Sequence, residues 1–410
     1  MPEDTRFPVG YIIVIVFTLV ALSSVIQSST GEDDAILPNN NHTIGVIIDY
    51  EGNRQRNTFI AESAITEINQ YCVDQGYAHR FKADIRAVDG QATSALETVQ
   101  YFDSEGVNLI VGPPWSSMFC VVRSYANDNG ILVMSGESNS PLLAVDDNGF
   151  RLTIHDGKTG QIFNELLLDR GIEAAVCLKR RDAWADCIWV EILNKYDGES
   201  HNIEYLSETT SFYDYLPAVS QSLRDYIGKY GKDKVALILL SFDELQYIID
   251  QSSDYPVTRS VTWYIPEDII ENTNFTDNRK QIAAEVNLTS FHTTISSNTK
   301  FDEIKQEYRN RFNEEIGFYD ANVYDACWIY ALSVINANTS DAEVLKPLIS
   351  VIAGEYVGLT GRCTLDQYGD RTTATYDIYN YKMVDGESQF IKTDELDLNF
   401  TVAIYREGVH

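Results

Sequence analysis

Val107-Asn108-Leu109-Ile110-Val111-Gly112-Pro113-Pro114-Trp115-Ser116-Ser117 and Ile131-Leu132-Val133-Met134-Ser135-Gly136-Glu137-Ser138-Asn139-Ser140-Pro141 are two versions of one pattern. Each starts with a short apolar run and ends in a small, hydroxyl-rich loop. Buried parallel strands read as continuous Val/Ile/Leu runs, and open α/β sheets take ligands just beyond the carboxyl ends of their strands. The stretch therefore predicts two parallel strands whose polar loops lie side by side over one cleft. Neither loop carries a nucleophile-base pairing or a phosphate cradle. Both suit reversible hydrogen bonding to a small polar molecule.

Outward from this stretch the same texture continues. Ile44 to Ile48, Phe81 to Val88, Ala174 to Leu178, Val235 to Leu240 and Val261 to Ile265 read as strands. Phe59 to Tyr71, Ala92 to Phe102, Met118 to Asn127, Thr159 to Leu168, Trp184 to Tyr196 and Leu245 to Ile249 read as helices, the first with Ile60, Ala64, Ile65, Ile68 and Tyr71 on one face and Gly76 placed to stop it. Alternation with short connections implies right-handed βαβ units and parallel sheets. The pattern restarts after Phe150-Arg151-Leu152, so two similar lobes are expected rather than one extended sheet. Phe301 to Phe312 and Tyr324 to Ile335 are helical, and the tail from Tyr376 to Ile404 turns β-rich. This late change of texture suggests that the chain returns to the first lobe and then crosses again.

At 410 residues the chain is too long for one modest core, and with 44% hydrophobic and 22% charged residues it is globular rather than disordered. Sixty-one acidic residues against 31 basic ones give a net charge of -30, which argues against nucleic acid or an anionic membrane face as partner. Tyr11 to Leu22 is uncharged and almost wholly apolar, on the border between a signal-peptide core and a short membrane span. Because Glu3 and Asp4 outnumber Arg6 ahead of it, an uncleaved anchor is favoured slightly over a removed signal; either way the rest is exported. Export makes five Asn-x-Ser/Thr tripeptides usable as glycan acceptors, at Asn41, Asn274, Asn287, Asn338 and Asn399. It also makes disulfides the expectation for six cysteines: pairing within lobes would join Cys72 with Cys120, Cys177 with Cys187, and Cys327 with Cys363, with buried free thiols as the alternative. Ser28 to His42 has the composition of a flexible tether.

Several short marks in order carry a more specific message. They are Ile44-Gly45-Val46; Ala64 to Asn69; Ile110-Val111-Gly112-Pro113 followed by Ser116; Ser135 with Pro141; Phe150-Arg151 with Asp156 and Gln161; Tyr324-Asp325-Ala326; and Thr360-Gly361 with Asp366, Gly369, Asp370 and Arg371. With these marks the chain resembles the type I periplasmic binding proteins of the branched-chain amino acid group and the related ligand-binding regions of receptors, from Thr43 to about Tyr381. The resemblance implies an α/β fold of two Rossmann-like lobes with parallel sheets, joined by three crossovers, with the ligand closed between them by hinge motion. It implies residues 1–27 as signal peptide or membrane anchor, 28–42 as linker, 43–156 plus 292–361 as lobe one, and 157–291 plus 362–410 as lobe two.

The resemblance also carries site residues. Ser116, with Ser117 beside it, falls at the family's hydroxyl donor, and Ser138 with Asn139 falls at its Ala-Thr pair, where the first lobe holds a ligand head group. Trp184 matches the closing aromatic of the second lobe, Phe242 lies near a second aromatic, and Glu267 matches the acid that holds an α-ammonium. An amino acid, amine or amide is then the natural ligand. Two departures stand out. Asn139 replaces a Thr, and Glu137 puts a carboxylate into the loop that should welcome the ligand's own, which disfavours an acidic head group if it faces the cleft and means little if it faces solvent. The loop Asp49 to Asn57 is shorter and more charged than the family's, and its Tyr50 suits either the cleft or a lid or surface role. Each assignment has a plainer counterpart: Trp184 and Phe242 as core aromatics, Glu267 as a solvated acid, Ser116 and Ser138 as helix caps.

As an enzyme the chain offers little. Its six histidines, His42, His79, His155, His201, His292 and His410, are scattered without paired metal-ligand spacing, and no Gly-x-Ser-x-Gly or phosphate loop is present, so no cofactor or metal is expected. The expected role is a solute-binding protein of ABC-type uptake with a permease as partner. The rivals are a sensor domain with a signalling partner and a surface protein without a small ligand.

Overall fold

The computed structural model describes residues 40–266, 275–295 and 298–399. In the first lobe, β1 (Asn41–Ile48), β2 (Arg80–Ala87), β3 (Leu109–Val111), β4 (Leu132–Ser135) and β5 (Gly149–Arg151) form one sheet in the order β2-β1-β3-β4-β5, parallel throughout. The reason is legible in the central strands: Ile44, Val46 and Ile48 of β1 face one layer of helices and Ile47 the other, and β3 and β4 are likewise apolar on both sides. One face is covered by α1 (Arg54–Gln75), and the other by α2 (Ala92–Ser104) and α3 (Ser116–Asp128). Gly76 ends α1 in the left-handed region at φ 75°, the stop its sequence position predicts.

In the second lobe the sheet runs β14-β13-β10-β9-β8-β6-β7. Its parallel part comprises β6 (Ala174–Arg180), β7 (Glu199–Tyr205), β8 (Val235–Leu240), β9 (Thr262–Tyr264) and β10 (Thr289–Thr294). A long antiparallel hairpin, β13 (Thr373–Val384) and β14 (Glu387–Asn399), closes one edge, and β11 (Val357–Gly358) and β12 (Gly361–Arg362) form a small separate pair. The helices here are α4 (Thr159–Asp169), α5 (Ala183–Lys195), α6 (Leu216–Tyr230), α7 (Leu245–Gln251) and α8 (Asp277–Glu285).

The chain passes between the lobes three times: after β5, after β10, and again before β13. Between the second and third passages α9 (Thr299–Phe312), α10 (Phe318–Ala337) and α11 (Ala342–Glu355) return to the first lobe, where Tyr308, Ile329, Tyr330 and Leu345 complete its core.

The passages share a buried polar knot. Arg151, at the end of β5, grips Asp370 with Nε at 2.6 Å and Nη2 at 2.7 Å, both side chains almost without exposure. Asp325 of α10 accepts from Leu359 N, Thr360 N, the Thr360 hydroxyl and the Tyr356 hydroxyl, and Arg371 reaches the Thr360 hydroxyl, Thr360 O and Leu152 O. Removing charges from water is costly unless they are paired or hydrogen-bonded, and here Arg151 and Asp370 are paired while Asp325 and Arg371 are each held by several hydrogen bonds. The marks at Tyr324-Asp325-Ala326, Thr360-Gly361 and Asp370-Arg371 thus belong to the crossovers.

All six cysteines are free thiols, which corrects the expected pairings. Cys72 is buried between α1 and α10, whereas Cys120 is exposed on α3, on the opposite face of the same sheet. Cys177 points into the second lobe's core and Cys187 is half-exposed on α5. Cys327 and Cys363 share the first core, but the Cys363 sulfur is turned to the polar knot, 3.8 Å from the Thr360 hydroxyl. Four of the five glycan acceptors lie on described residues: Asn41 starts β1, Asn287 and Asn338 hold left-handed turns, and Asn399 ends β14. Asn274 and the apolar segment Tyr11 to Leu22 lie outside the described residues. No helix among those residues is long and apolar enough to cross a membrane.

Candidate ligand-binding site

In each parallel sheet the strand order reverses once, and that is where an open α/β sheet leaves a crevice. In the first sheet the reversal falls between β1 and β3, in the second between β6 and β8.

At the first reversal the loop after β3 begins at Gly112, whose φ of 97° and close approach to Ile47 O exclude a side chain: a Cβ would stand 2.5 Å from that oxygen. The Gly112-Pro113 peptide is cis. The loop after β4 is held by six ties. The Ser135 hydroxyl donates to Pro113 O at 2.8 Å and accepts from Ser138 N at 3.0 Å. The Ser138 hydroxyl donates to Ser116 Oγ at 3.1 Å, which also accepts from Ser140 N at 3.1 Å. Asn322 of α10 donates to Gly136 O at 2.8 Å, and Arg151 donates to Ser140 O at 2.6 Å. Ser116 and Ser138 are therefore fasteners between the two loops. Neither caps a helix through its side chain: the N-cap of α3 is Trp115, without a side-chain bond. Ser117 is exposed in the first turn of α3, and the Asn139 side-chain amide makes no hydrogen bond among the described residues.

Gly136 packs so closely on α10 that a Cβ would stand 2.8 Å from that of Asn322. This contact sets Glu137 beside the first turn of α10 and hence beside Asp320. A small cavity of about 20 Å³ opens here, lined by Asp49, Asn57, Gly112, Pro114 and Glu137. Its size suits one water-sized group. Burial, with the negative charges of Asp320 and Asp49 nearby, pushes the Glu137 carboxyl up to about 7, against the pull of Arg56. Asp320 is also raised, chiefly by burial, although Arg56 Nε stands 2.9 Å from it and Gly317 N donates to it. Asp49 uses one oxygen to accept from Tyr50 N and Asn53 Nδ2. Tyr50 lies on the rim, edge-on to Trp115 with ring centroids 5.5 Å apart, and both rings are exposed.

At the second reversal α5 is started by Asp182, which accepts from Ala185 N at 3.0 Å, and its first turn carries Trp184. Its ring stacks on Phe242, which follows β8, with centroids 4.3 Å apart. Arg180 lies over the Phe242 ring at 4.5 Å while pairing with Asp182 and Glu244. Phe242 is 42% exposed, so it is a rim aromatic rather than a core residue.

The residues expected from sequence thus gather in two sets, Tyr50, Ser116, Glu137 and Ser138 at one reversal and Trp184 with Phe242 at the other. Among the described residues no hydrogen bond or ring contact joins the sets, and Glu267 lies outside the described residues. Sequence reasoning missed Asp320 and Arg56. No local signal marks either one, because only the return of α10 to the first lobe brings Asp320 to Glu137. Among the described residues no three His, Cys, Asp or Glu side chains converge as a metal cage.

Comparison with known proteins agrees with this geometry. The chain is 13% identical to a branched-chain amino acid ABC transporter periplasmic ligand-binding protein from Burkholderia xenovorans, with a TM-score of 0.67 over 87% of this chain and 95% of that one. It is 16% identical to an ABC transporter substrate-binding protein from Desulfitobacterium hafniense solved with Leu, with a TM-score of 0.63 over 86% of this chain and 100% of the other. An uncharacterized protein of Methanocaldococcus jannaschii is 23% identical over 363 residues, 82% of this chain and 86% of that protein. The structures share the fold of two α/β lobes with parallel sheets. The model of the receptor family ligand binding region matches residues 61–383, most of the chain, and the protein belongs to that family.

Proposed function

We propose that the protein is an extracytoplasmic solute-binding protein that captures a small polar ligand between its lobes for ABC-type uptake. The observation that carries this reading is the pair of strand-order reversals, each with a rigid, polar or aromatic rim at the carboxyl ends of its strands. Ser116, Ser117, Glu137, Ser138 and Asn139, with Tyr50 at the edge, form the first lobe's contribution; Trp184 and Phe242 form the second's. The likeness to ABC transporter substrate-binding proteins supports the uptake role and a permease as partner. In this reading the amino-terminal apolar segment, as a signal or anchor, puts the lobes outside the cytoplasm.

The test is a thermal-shift screen of the lobes against amino acids, amines and amides, paired with small-angle X-ray scattering. A ligand that binds only the folded state raises the melting temperature by mass action, and closure of the lobes lowers the radius of gyration. A ligand that does both supports the reading. A broad screen that gives neither overturns it.

A further inference from the structure

We infer that the first lobe receives a primary ammonium group rather than a carboxylate, and that the ligand is an amine without an acid group. This rests on the binding role proposed above and names the ligand class of the same cleft.

Three observations converge. First, three donors of the two loops are spent within the lobe, Ser138 N on Ser135 Oγ, Ser140 N on Ser116 Oγ, and the Ser138 hydroxyl on Ser116 Oγ, so that a carboxylate would find only the Ser116 hydroxyl hydrogen and the Asn139 amide among the side chains of Ser116, Ser138 and Asn139. Second, acceptors stand open where those donors would be. The Glu137 carboxylate has no hydrogen-bond or ion-pair partner among the described residues, Asp49 keeps one carboxylate oxygen free of hydrogen bonds, and the Asn57 side-chain oxygen is unused while its amide donates to Asn53 O. These three residues line the same cavity of about 20 Å³, room for an ammonium. An ammonium carries three donors and no acceptor, which matches that set. Third, the rim above is aromatic on both lobes, Tyr50 with Trp115 and Trp184 with Phe242, so an alkyl or aryl tail has apolar faces to lie on.

The charge balance points the same way. Asp49, Glu137 and Asp320 face one cation, Arg56, which is committed to Asp320. These carboxyls do not form a metal cage, so an organic cation is the fitting charge. The opposing feature is the first turn of α3, whose Ser116 and Ser117 N–H groups carry the positive end of a helix dipole.

The experiment weighs these against each other with three probes of one chain length, n-hexylamine, hexanoate and norleucine, titrated calorimetrically into the full chain. Hexylamine is expected to bind at least about tenfold more tightly than norleucine, and hexanoate not to bind, with affinity for the amine rising between about pH 6 and 8 as Glu137 ionises. Glu137→Gln, an isosteric change, should weaken the amine about tenfold or more and narrow its margin over norleucine. Tighter binding of norleucine or hexanoate overturns the inference while leaving the solute-binding role intact. Absence of hexylamine binding at millimolar concentration overturns it too, and an unchanged amine affinity in Glu137→Gln does the same.

Discussion

Carboxyl groups are partly or wholly withdrawn from water in two regions of the first lobe, and the two regions treat them in opposite ways. At the crossovers Asp325 accepts four hydrogen bonds from backbone N–H groups and hydroxyls, and Asp370 is gripped through both oxygens by the guanidinium of Arg151. At the mouth of the cleft Glu137 is left without a partner, beside two more acids. A buried charge that is fully paired fixes geometry; one that is unpaired costs stability until something else supplies the pairing. The first region therefore holds the lobes together through chain segments far apart in sequence, and the second is arranged for a partner from outside the chain.

The comparison breaks most visibly at Asp325. Asp325→Ala would strand two backbone N–H groups and remove a negative charge that Arg371 stabilises. A loss of about 3–5 kcal/mol in chemical-unfolding stability is expected, or failure to fold. A loss below about 1 kcal/mol would show that the knot does not carry the crossovers. Arg151 and Asp370 offer a finer probe. Each removed alone, as Arg151→Met or Asp370→Asn, leaves the other charge buried, so the double variant should cost clearly less than the two single costs added together, by about 2–3 kcal/mol. Additive costs would mean that the bidentate contact is incidental.

The sequence makes the paired region easy to find and the unpaired one hard. The strands at Val107–Val111 and Ile131–Met134, the restart after Leu152 and the marks at Asp325, Thr360 and Arg371 are local patterns, and periodicity or spacing exposes them. The roles of those marks are another matter: nothing local says that Arg371 grips Thr360 rather than a ligand. The reversal between β1 and β3 is a property of strand order, which no window of sequence contains, so the sequence drew attention to the loops after β1, β3 and β4 without showing that Asp49, Gly112, Pro114 and Glu137 would line one cavity. Asp320 is 183 residues from Glu137 in the chain. The disulfide expectation failed for the same reason, because Cys72 and Cys120 are separated by the thickness of a sheet that had yet to be assembled.

Glu137 sharpens the comparison through pH. Its carboxyl is raised from 4.5 to about 7 by burial and by Asp320 and Asp49, with Arg56 in opposition. The folded state thus holds this proton longer than the unfolded state does. Its contribution to stability is complete below about pH 4.5 and is lost as pH rises through about 7. Glu137→Gln should accordingly stabilise the ligand-free protein at pH 8 by about 1–2 kcal/mol, after allowance for the part of the side chain that water reaches, and change little at pH 4.5. Equal effects at both values, measured by urea unfolding, would mean that Glu137 is solvated like any surface acid.

The smallest effect on stability, and the most direct separation of the two kinds of region, is expected at Phe242. Around it the charges are paired, Arg180 with Asp182 and Glu244, so the second lobe's rim has no electrostatic deficit to relieve. What it leaves unsatisfied is apolar: an aromatic ring 42% exposed, stacked on Trp184 and covered by a guanidinium. Stacking on a neighbour is worth about 0.5–1.5 kcal/mol beyond area, and an exposed ring forgoes much of the rest. Phe242→Ala should therefore cost no more than about 1 kcal/mol in unfolding stability while lowering affinity for hexylamine severalfold. If unfolding stability falls by more than about 2 kcal/mol with affinity unchanged, the Trp184–Phe242 stack is part of the second lobe's own packing, and its rim gives a ligand nothing to lie against.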